Sequence, residues 1–253
     1  MLVALILFAL VPNIIQVDAN FSKSMYLTWG VQHASIMAED LHLVLDKTSG
    51  SAAQSKRSFL FGSIEMQIKL VPGNSAGTVT AYYATVQDNH TRFIPTYTHM
   101  EKEAESNNFT SVYDRYLSWY VDSVPIRVYR NYEKEGIAYP NKQGMRVYTS
   151  LWNADNWATR GGLVKTNWRD APFTARFHHF RARACRWGGA KSINQCASNV
   201  SANWWTSPRY KHLSHAQMGQ LNWVRENYMI YDYCTDTKRF NAHMPPECFK
   251  PQF

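Results

Sequence analysis

The stretch His99–Thr110, HMEKEAESNNFT, places glutamates at every second position: Glu101, Glu103 and Glu105. On an extended chain alternate side chains share one face, so these carboxylates would converge there. Carboxylates crowded together titrate apart, and such a set can divide into a base or nucleophile and an acid. The residues of the opposite parity, Met100, Lys102, Ala104 and Ser106, offer that strand little apolar support. A lysine in a sandwich interior would be costly. The alternative is a solvated charge run on a loop.

The elements that would have to position such a group are strands. IEMQIKL (64–70) alternates strictly between apolar and polar residues, the pattern of a half-buried strand. GTVTAYYATV (77–86) follows the turn signal PGNSAG, and VPIRVYRN, MRVYTSLW and PFTARFHHFRARAC are further strands. Short strands between Gly, Pro and Asn turns predict an all-β sandwich over residues 20–183. Residues 84–118 break the order: polar and without sustained alternation, they read as a loop. The one clear helix is SHAQMGQLNWVRENY, with Ser214 as its cap. It lies in a C-terminal extension, residues 184–253.

Composition narrows the partners. The chain has 253 residues, 45% hydrophobic, with a net charge of +8, so acidic surroundings suit it. No zinc spacing, phosphate loop or basic helical arm points to nucleic acid. The nine Trp and fifteen Tyr pack cores or bind flat apolar faces such as sugar rings. Residues 2–11 form an apolar run too short to span a bilayer, and small residues Val17 and Ala19 suit signal peptidase. Residues 1–19 therefore read as a secretory signal, with no membrane segment after its removal. Four cysteines, Cys185, Cys196, Cys234 and Cys248, favour two disulfides in a secreted chain. Of three possible pairings, the local one closes the shortest loops. Sequons occur at Asn20, Asn89, Asn108 and Asn199.

FGSIEMQIKLVPGNSAGTVTAYY (61–83), SLWNADNWATRGGLVKTNWRDAPF (150–173), NYMIYDYCTDTKRF (227–240) and PPEC (245–248) resemble the xyloglucan endotransglucosylase/hydrolases of plant cell walls, in glycoside hydrolase family sixteen. The resemblance covers residues 20–83 and about 121–250. It implies a curved jelly-roll β-sandwich of concanavalin-like type, with a substrate cleft on its concave face and an extension stapled by two consecutive disulfides. It also implies a monomeric, cofactor-free enzyme of the apoplast that cleaves and religates xyloglucan by a retaining mechanism. That mechanism needs carboxylates roughly 5–5.5 Å apart.

By the same resemblance Glu101 would be the nucleophile, Glu103 the helper and Glu105 the acid/base, with Asn108 the glycosylated sequon beside them. On a straight strand at ~3.3 Å per residue, Glu101 and Glu105 would stand about 13 Å apart at Cα, and only long side chains on a curved strand could approach. Between Tyr83 and Val124 the chain is a few dozen residues shorter than the family, and the family's wording around its carboxylates is absent. A family member that binds xyloglucan without catalysis, or one lacking the catalytic strand altogether, is the alternative. Asn156, Trp157 and Gly161 would line the acceptor side, an indole face stacking on a sugar ring. Arg239 would reach back from the extension to that end. Trp152 is expected in the core, Asp155 as a shaper of its loop, and the compact segment 130–145 goes with transfer rather than hydrolysis. His178 and His179, adjacent on a strand, should point oppositely, and no spacing suggests a metal.

Overall fold

The computed structural model describes residues 14–17, 20–85, 105–113 and 115–252. In chain order the strands are β1 (Ile14–Val17), β2 (Met25–Trp29), β3 (Ala34–Met37), β4 (Asp40–Leu45), β5 (Ser51–Ser55), β6 (Phe59–Lys69), β7 (Thr78–Thr85), β8 (Glu105–Val112), β9 (Tyr116–Val121), β10 (Val124–Arg130), β11 (Arg146–Asn153) and β12 (Phe173–Arg186). The α-helices among the described residues are α1 (Phe21–Ser24), α2 (Lys191–Ala197) and α3 (His215–Asn227).

These strands form two antiparallel sheets. One has eight strands in the order β10-β9-β8-β6-β12-β4-β3, with β1 alongside β12. The other has four, β2-β5-β11-β7. Alternation explains how they face each other. Ile64, Met66 and Ile68 of β6 are buried and Glu65, Gln67 and Lys69 are not. With Leu41, Leu43, Phe173, Ala175 and Phe177 they form one cluster with Ala53, Tyr82, Val147 and Leu151 of the four-stranded sheet. The Tyr82 hydroxyl donates across the layers to the Ile64 carbonyl at 3.3 Å. The expected sandwich is therefore present, closed by apolar faces from both sheets.

Three features depart from the sequence reading. Residues 105–112 are a strand, not a loop, and β9 begins at Tyr116 inside the segment expected to be irregular. Pairing with β6 on one side and β9 on the other imposes this register on a polar, weakly patterned stretch. Residues 14–17, within the expected signal, lie along residues 182–185 of β12. Finally, His178 and His179 do not simply alternate. His179 has φ +57°, and the pairing with β6 shifts between His178 and Arg181. This β-bulge absorbs one residue, so Phe180, Ala182 and Ala184 continue the buried face begun by Phe173, Ala175 and Phe177.

The extension packs through a second apolar cluster, in which Leu60, Tyr116, Trp119 and Val128 meet Trp205, Leu213 and Leu221. Cys185–Cys196 ties the end of β12 to α2, and Cys234–Cys248 closes the later segment, so the disulfides are the local pair. Helix α3 starts where expected: the Ser214 hydroxyl accepts from Gln217 N–H at 3.3 Å and the Gln217 side chain accepts from Ser214 N–H at 3.0 Å. The chain end folds back on the compact 130–145 segment, through Lys250–Glu135 at 2.5 Å and a Tyr132 hydroxyl bond to the Pro251 carbonyl.

Candidate functional site

The outward face of the four-stranded sheet follows from its register. Val147 and Leu151 point into the core, so Tyr148, Ser150 and Trp152 point away from it. Tyr148 lies opposite Gln54 on β5 and Tyr83 on β7, and Gln54 lies opposite Tyr26 on β2. Tyr26–Gln54–Tyr148–Tyr83 is thus a single rung crossing all four strands. The rings of Tyr83 and Tyr148 stack at 5.3 Å and 8°. The next rung is Trp29–Ala52–Ser150–Ala81, and beyond it Trp152 lies opposite Val79. Small residues therefore separate a tyrosine rung from a cluster of tryptophans.

Polar groups on this face are few. Gln54 is 5% exposed, and its side-chain nitrogen has no hydrogen-bond partner among the described residues. A buried amide donor without a partner is costly unless a ligand satisfies it. Burial raises the pKa of Tyr148, with neighbouring Tyr26 adding to the rise and Arg146 opposing it, so its hydroxyl is a donor at neutral pH. None of the four strands carries Asp or Glu.

The loop after β11 extends the face. Trp157 is half-exposed and its ring lies 5.9 Å from that of Trp152. Trp152 is itself only partly buried, packed outside the main core against Val79 and Ala81, which corrects its expected place in the core: its parity on β11 is that of Tyr148. Asp155 shapes the loop as expected. Its carboxylate accepts from Thr166 N–H at 2.5 Å and from the Thr166 hydroxyl at 2.9 Å. Gly77, with φ +76°, passes so close that a Cβ there would sit 2.4 Å from that carboxylate. Gly161 lies in a left-handed run, Arg160–Gly162, which folds the loop back so that a Cβ on Gly162 would be 2.3 Å from the Asn156 carbonyl. Trp157 thus sits beside Trp152, Asn156 and Gly161 lie on the same loop, and Asn156, Trp157 and Gly161 are exposed.

Other expected residues stand on other elements. Arg239 touches residues of the extension, donating to the Tyr231 hydroxyl at 3.3 Å and stacking over Phe240. Glu105 opens β8 opposite Lys69, in register with the outward row Glu65, Gln67 and Lys69 of the eight-stranded sheet, not on the sheet that bears the aromatics. Asn108 lies opposite Met66, whose side chain is buried. Glu101 and Glu103 lie outside the described residues. Among the described residues no group of three or more His, Cys, Asp or Glu is placed to hold a metal ion, and no helix is long and apolar enough to cross a membrane. The tyrosine rung and Gln54 were not singled out from the sequence. The signal for Tyr83 and Tyr148 was the alternation in AYYATV and MRVYTS, where Tyr82 and Val147 take the core parity and Tyr83 and Tyr148 the other.

Comparison with known proteins bears on what this face is for. Residues 21–94 and 101–170 match glycosyl hydrolases family 16, and residues 199–248 match the xyloglucan endo-transglycosylase C-terminus. Xyloglucan endotransglucosylase protein 7 of Diospyros kaki is 40% identical, over 90% of this chain and 97% of its own. Xyloglucan endotransglucosylase/hydrolase protein 22 of Arabidopsis thaliana is 40% identical over 92% and 93% respectively. The alignment with the Diospyros protein spans 268 positions against 253 residues here, so that relative carries residues with no counterpart in this chain. Two solved structures share the fold: Crh5 transglycosylase in complex with NAG (TM-score 0.50, 16% identity, 68% of this chain and 84% of that one) and the laminarinase of Flavobacterium sp. UMI-01 (TM-score 0.50, 12%, 64% and 94%).

Proposed function

This chain belongs to the xyloglucan endotransglucosylase/hydrolases of glycoside hydrolase family 16, and from that premise we propose that it holds xyloglucan on the aromatic outer face of its four-stranded sheet, as a cell-wall protein that binds without transferring. The rung Tyr26–Gln54–Tyr148–Tyr83 carries this reading. Aromatic faces stack on the C–H faces of glucosyl rings while an amide reads hydroxyls. Asn156, Trp157 and Gly161 form the acceptor end, with Arg239 contributing from the extension. Retaining transfer needs two carboxylates about 5–5.5 Å apart. Among the described residues the four strands of this face supply none, and the strand that opens with Glu105 belongs to the other sheet.

The chain works outside the cell, in the apoplast, as a monomer. Its two disulfides suit an oxidising compartment, and residues 1–19, β1 among them, act as the secretory leader.

A second reading has one observation in its favour. β7, which bears Tyr83, is the last described strand of the aromatic sheet, and the segment carrying Glu101 and Glu103 begins where β7 ends at Thr85. In that reading Glu101 attacks the anomeric carbon, Glu103 assists, and Glu105 protonates the leaving oxygen before a second xyloglucan chain or water takes the glycosyl group. The test is glycosyl transfer from xyloglucan to a labelled oligosaccharide by the secreted protein. Binding with no labelled product supports the binding reading. Transfer that disappears in Glu101→Gln establishes the second.

A further inference from the structure

The outer face of the eight-stranded sheet differs chemically from the aromatic face. The bulge at His179 keeps Phe180, Ala182 and Ala184 inward, so β12 presents Arg176, His178, Arg181 and Arg183 outward, a basic row along one strand. Across the strands, His42 of β4 and Lys69 of β6 both lie opposite Arg176. Placing basic side chains directly opposite one another is unfavourable in a sheet. Two acids facing this row are already engaged: Asp40 holds His178 at 2.9 Å, and Glu65, opposite Arg181 in register, holds Arg183 at 3.0 Å. Glu105 opens β8 opposite Lys69. Arg176 and Arg181 have no acidic partner among the described residues. Among the outward residues of β4, β6 and β12 the one aromatic is Phe61, which is buried under the extension.

We propose that this face, centred on Arg176 and Arg181, binds a linear polycarboxylate of the polyuronate type. Guanidinium groups pair with carboxylates in a two-point geometry that ammonium groups do not match. Single-stranded nucleic acid, the other common linear polyanion, is normally held by stacking on aromatic side chains; here the ring beside the row, Trp204, already lies against the Arg183 guanidinium at 5.7 Å, and among the described residues no ring stacks on Arg176 or Arg181. The net charge of +8 brings the polymer near, and the arginine row decides where it sits. With a neutral glucan on the aromatic face, one molecule would contact two kinds of wall polymer on opposite sides. The polycarboxylate site does not depend on the glucan reading.

The test is affinity electrophoresis of the full secreted protein in gels containing polygalacturonate, its methyl-esterified form, or single-stranded DNA of similar length. Retardation by polygalacturonate is expected at low salt. It should weaken at least tenfold in Arg176→Gln/Arg181→Gln, fall with added salt, and be absent with the esterified polymer. Lys191→Gln/Lys211→Gln removes the same charge elsewhere and should leave retardation unchanged. An equal loss in both double variants would overturn the site, because net charge alone would then carry binding. So would unchanged retardation in the arginine variant, or retardation by DNA as strong as by polygalacturonate. Unchanged melting temperature confirms that the variants fold.

Discussion

Tyr83 and Tyr148 face each other across β7 and β11 with rings stacked at 5.3 Å and an interplanar angle of 8°. The pair lies on the side of the sheet opposite Val147 and Leu151, so its stacking contributes little to the core. Two flat rings fixed by backbone pairing present a rigid surface at small entropic cost. Removing one ring should therefore harm binding more than folding.

Gln54 sits between Tyr26 and Tyr148 with its amide nitrogen unpartnered among the described residues. Gln54→Leu keeps the volume and removes the buried polar group. The melting temperature should hold or rise, since replacing an unsatisfied donor by an apolar group is near neutral or stabilising. Affinity for xyloglucan oligosaccharide should fall about tenfold, equivalent to about 1.4 kcal/mol. Calorimetric titration reads the affinity. A Gln54→Leu protein with full affinity and lower stability would mean the amide has only a packing role.

Asp155 fixes the loop that carries Trp157, through two bonds to Thr166. Asp155→Ala should release the loop and weaken oligosaccharide binding several-fold. About 1.5–3 kcal/mol of stability should go with it, the cost of hydrogen bonds to a charged group. Tryptophan fluorescence of ligand titrations would show it. The coupling is to Trp157, so Asp155→Ala should add nothing to Trp157→Ala.

Asp46 gives the fold a pH dependence. Its carboxylate accepts from the Thr48 hydroxyl at 2.6 Å and Thr48 N–H at 2.7 Å, pairs with His33 at 2.9 Å, and accepts from Ser49 N–H at 3.2 Å. These bonds, the Thr48 hydroxyl first, hold its pKa well below the usual carboxylate value. In the folded state Asp46 therefore stays ionised where the unfolded chain has taken up a proton. Its contribution is complete above about pH 4, the ordinary aspartate value, and is lost as the pH falls further. Asp46→Asn should flatten the decline in melting temperature below pH 4 while lowering the plateau. A parallel decline in both proteins would remove Asp46 from the explanation.

The two disulfides should not be equivalent. Cys185 and Cys196 are both buried in the cluster that joins the extension to the sheet. Cys234 and Cys248 lie in partly exposed single turns. Replacing the first pair by serine should cost about 2–4 kcal/mol and loosen α2. Replacing the second should cost less and leave the sandwich unchanged in thermal melts.

Much of this architecture was legible in the sequence because burial on one face writes a period of two. Ile64, Met66 and Ile68 announce β6, and Ser214 with Gln217 announces α3. Where the face is not simply divided, the pattern fails. β8, ESNNFTSV, owes its strand to its two neighbours and not to its own residues. The His179 bulge resets the parity of β12, so strict alternation misplaces everything after Phe177. The site was half legible. Asn156 and Trp157 stand in a well-patterned loop, whereas Tyr26, Gln54, Tyr83 and Tyr148 come from four separate strands and meet only through register. Trp152 was misplaced for the same reason: its neighbour Leu151 holds the core position.

The most direct measurement is the mobility of the secreted protein in gels containing xyloglucan, compared with Tyr83→Ala/Tyr148→Ala. Strong retardation is expected for the natural chain, with at least a tenfold loss of affinity in the double variant and a melting temperature within a few degrees of the original. Equal retardation of the two proteins would contradict binding on the aromatic face.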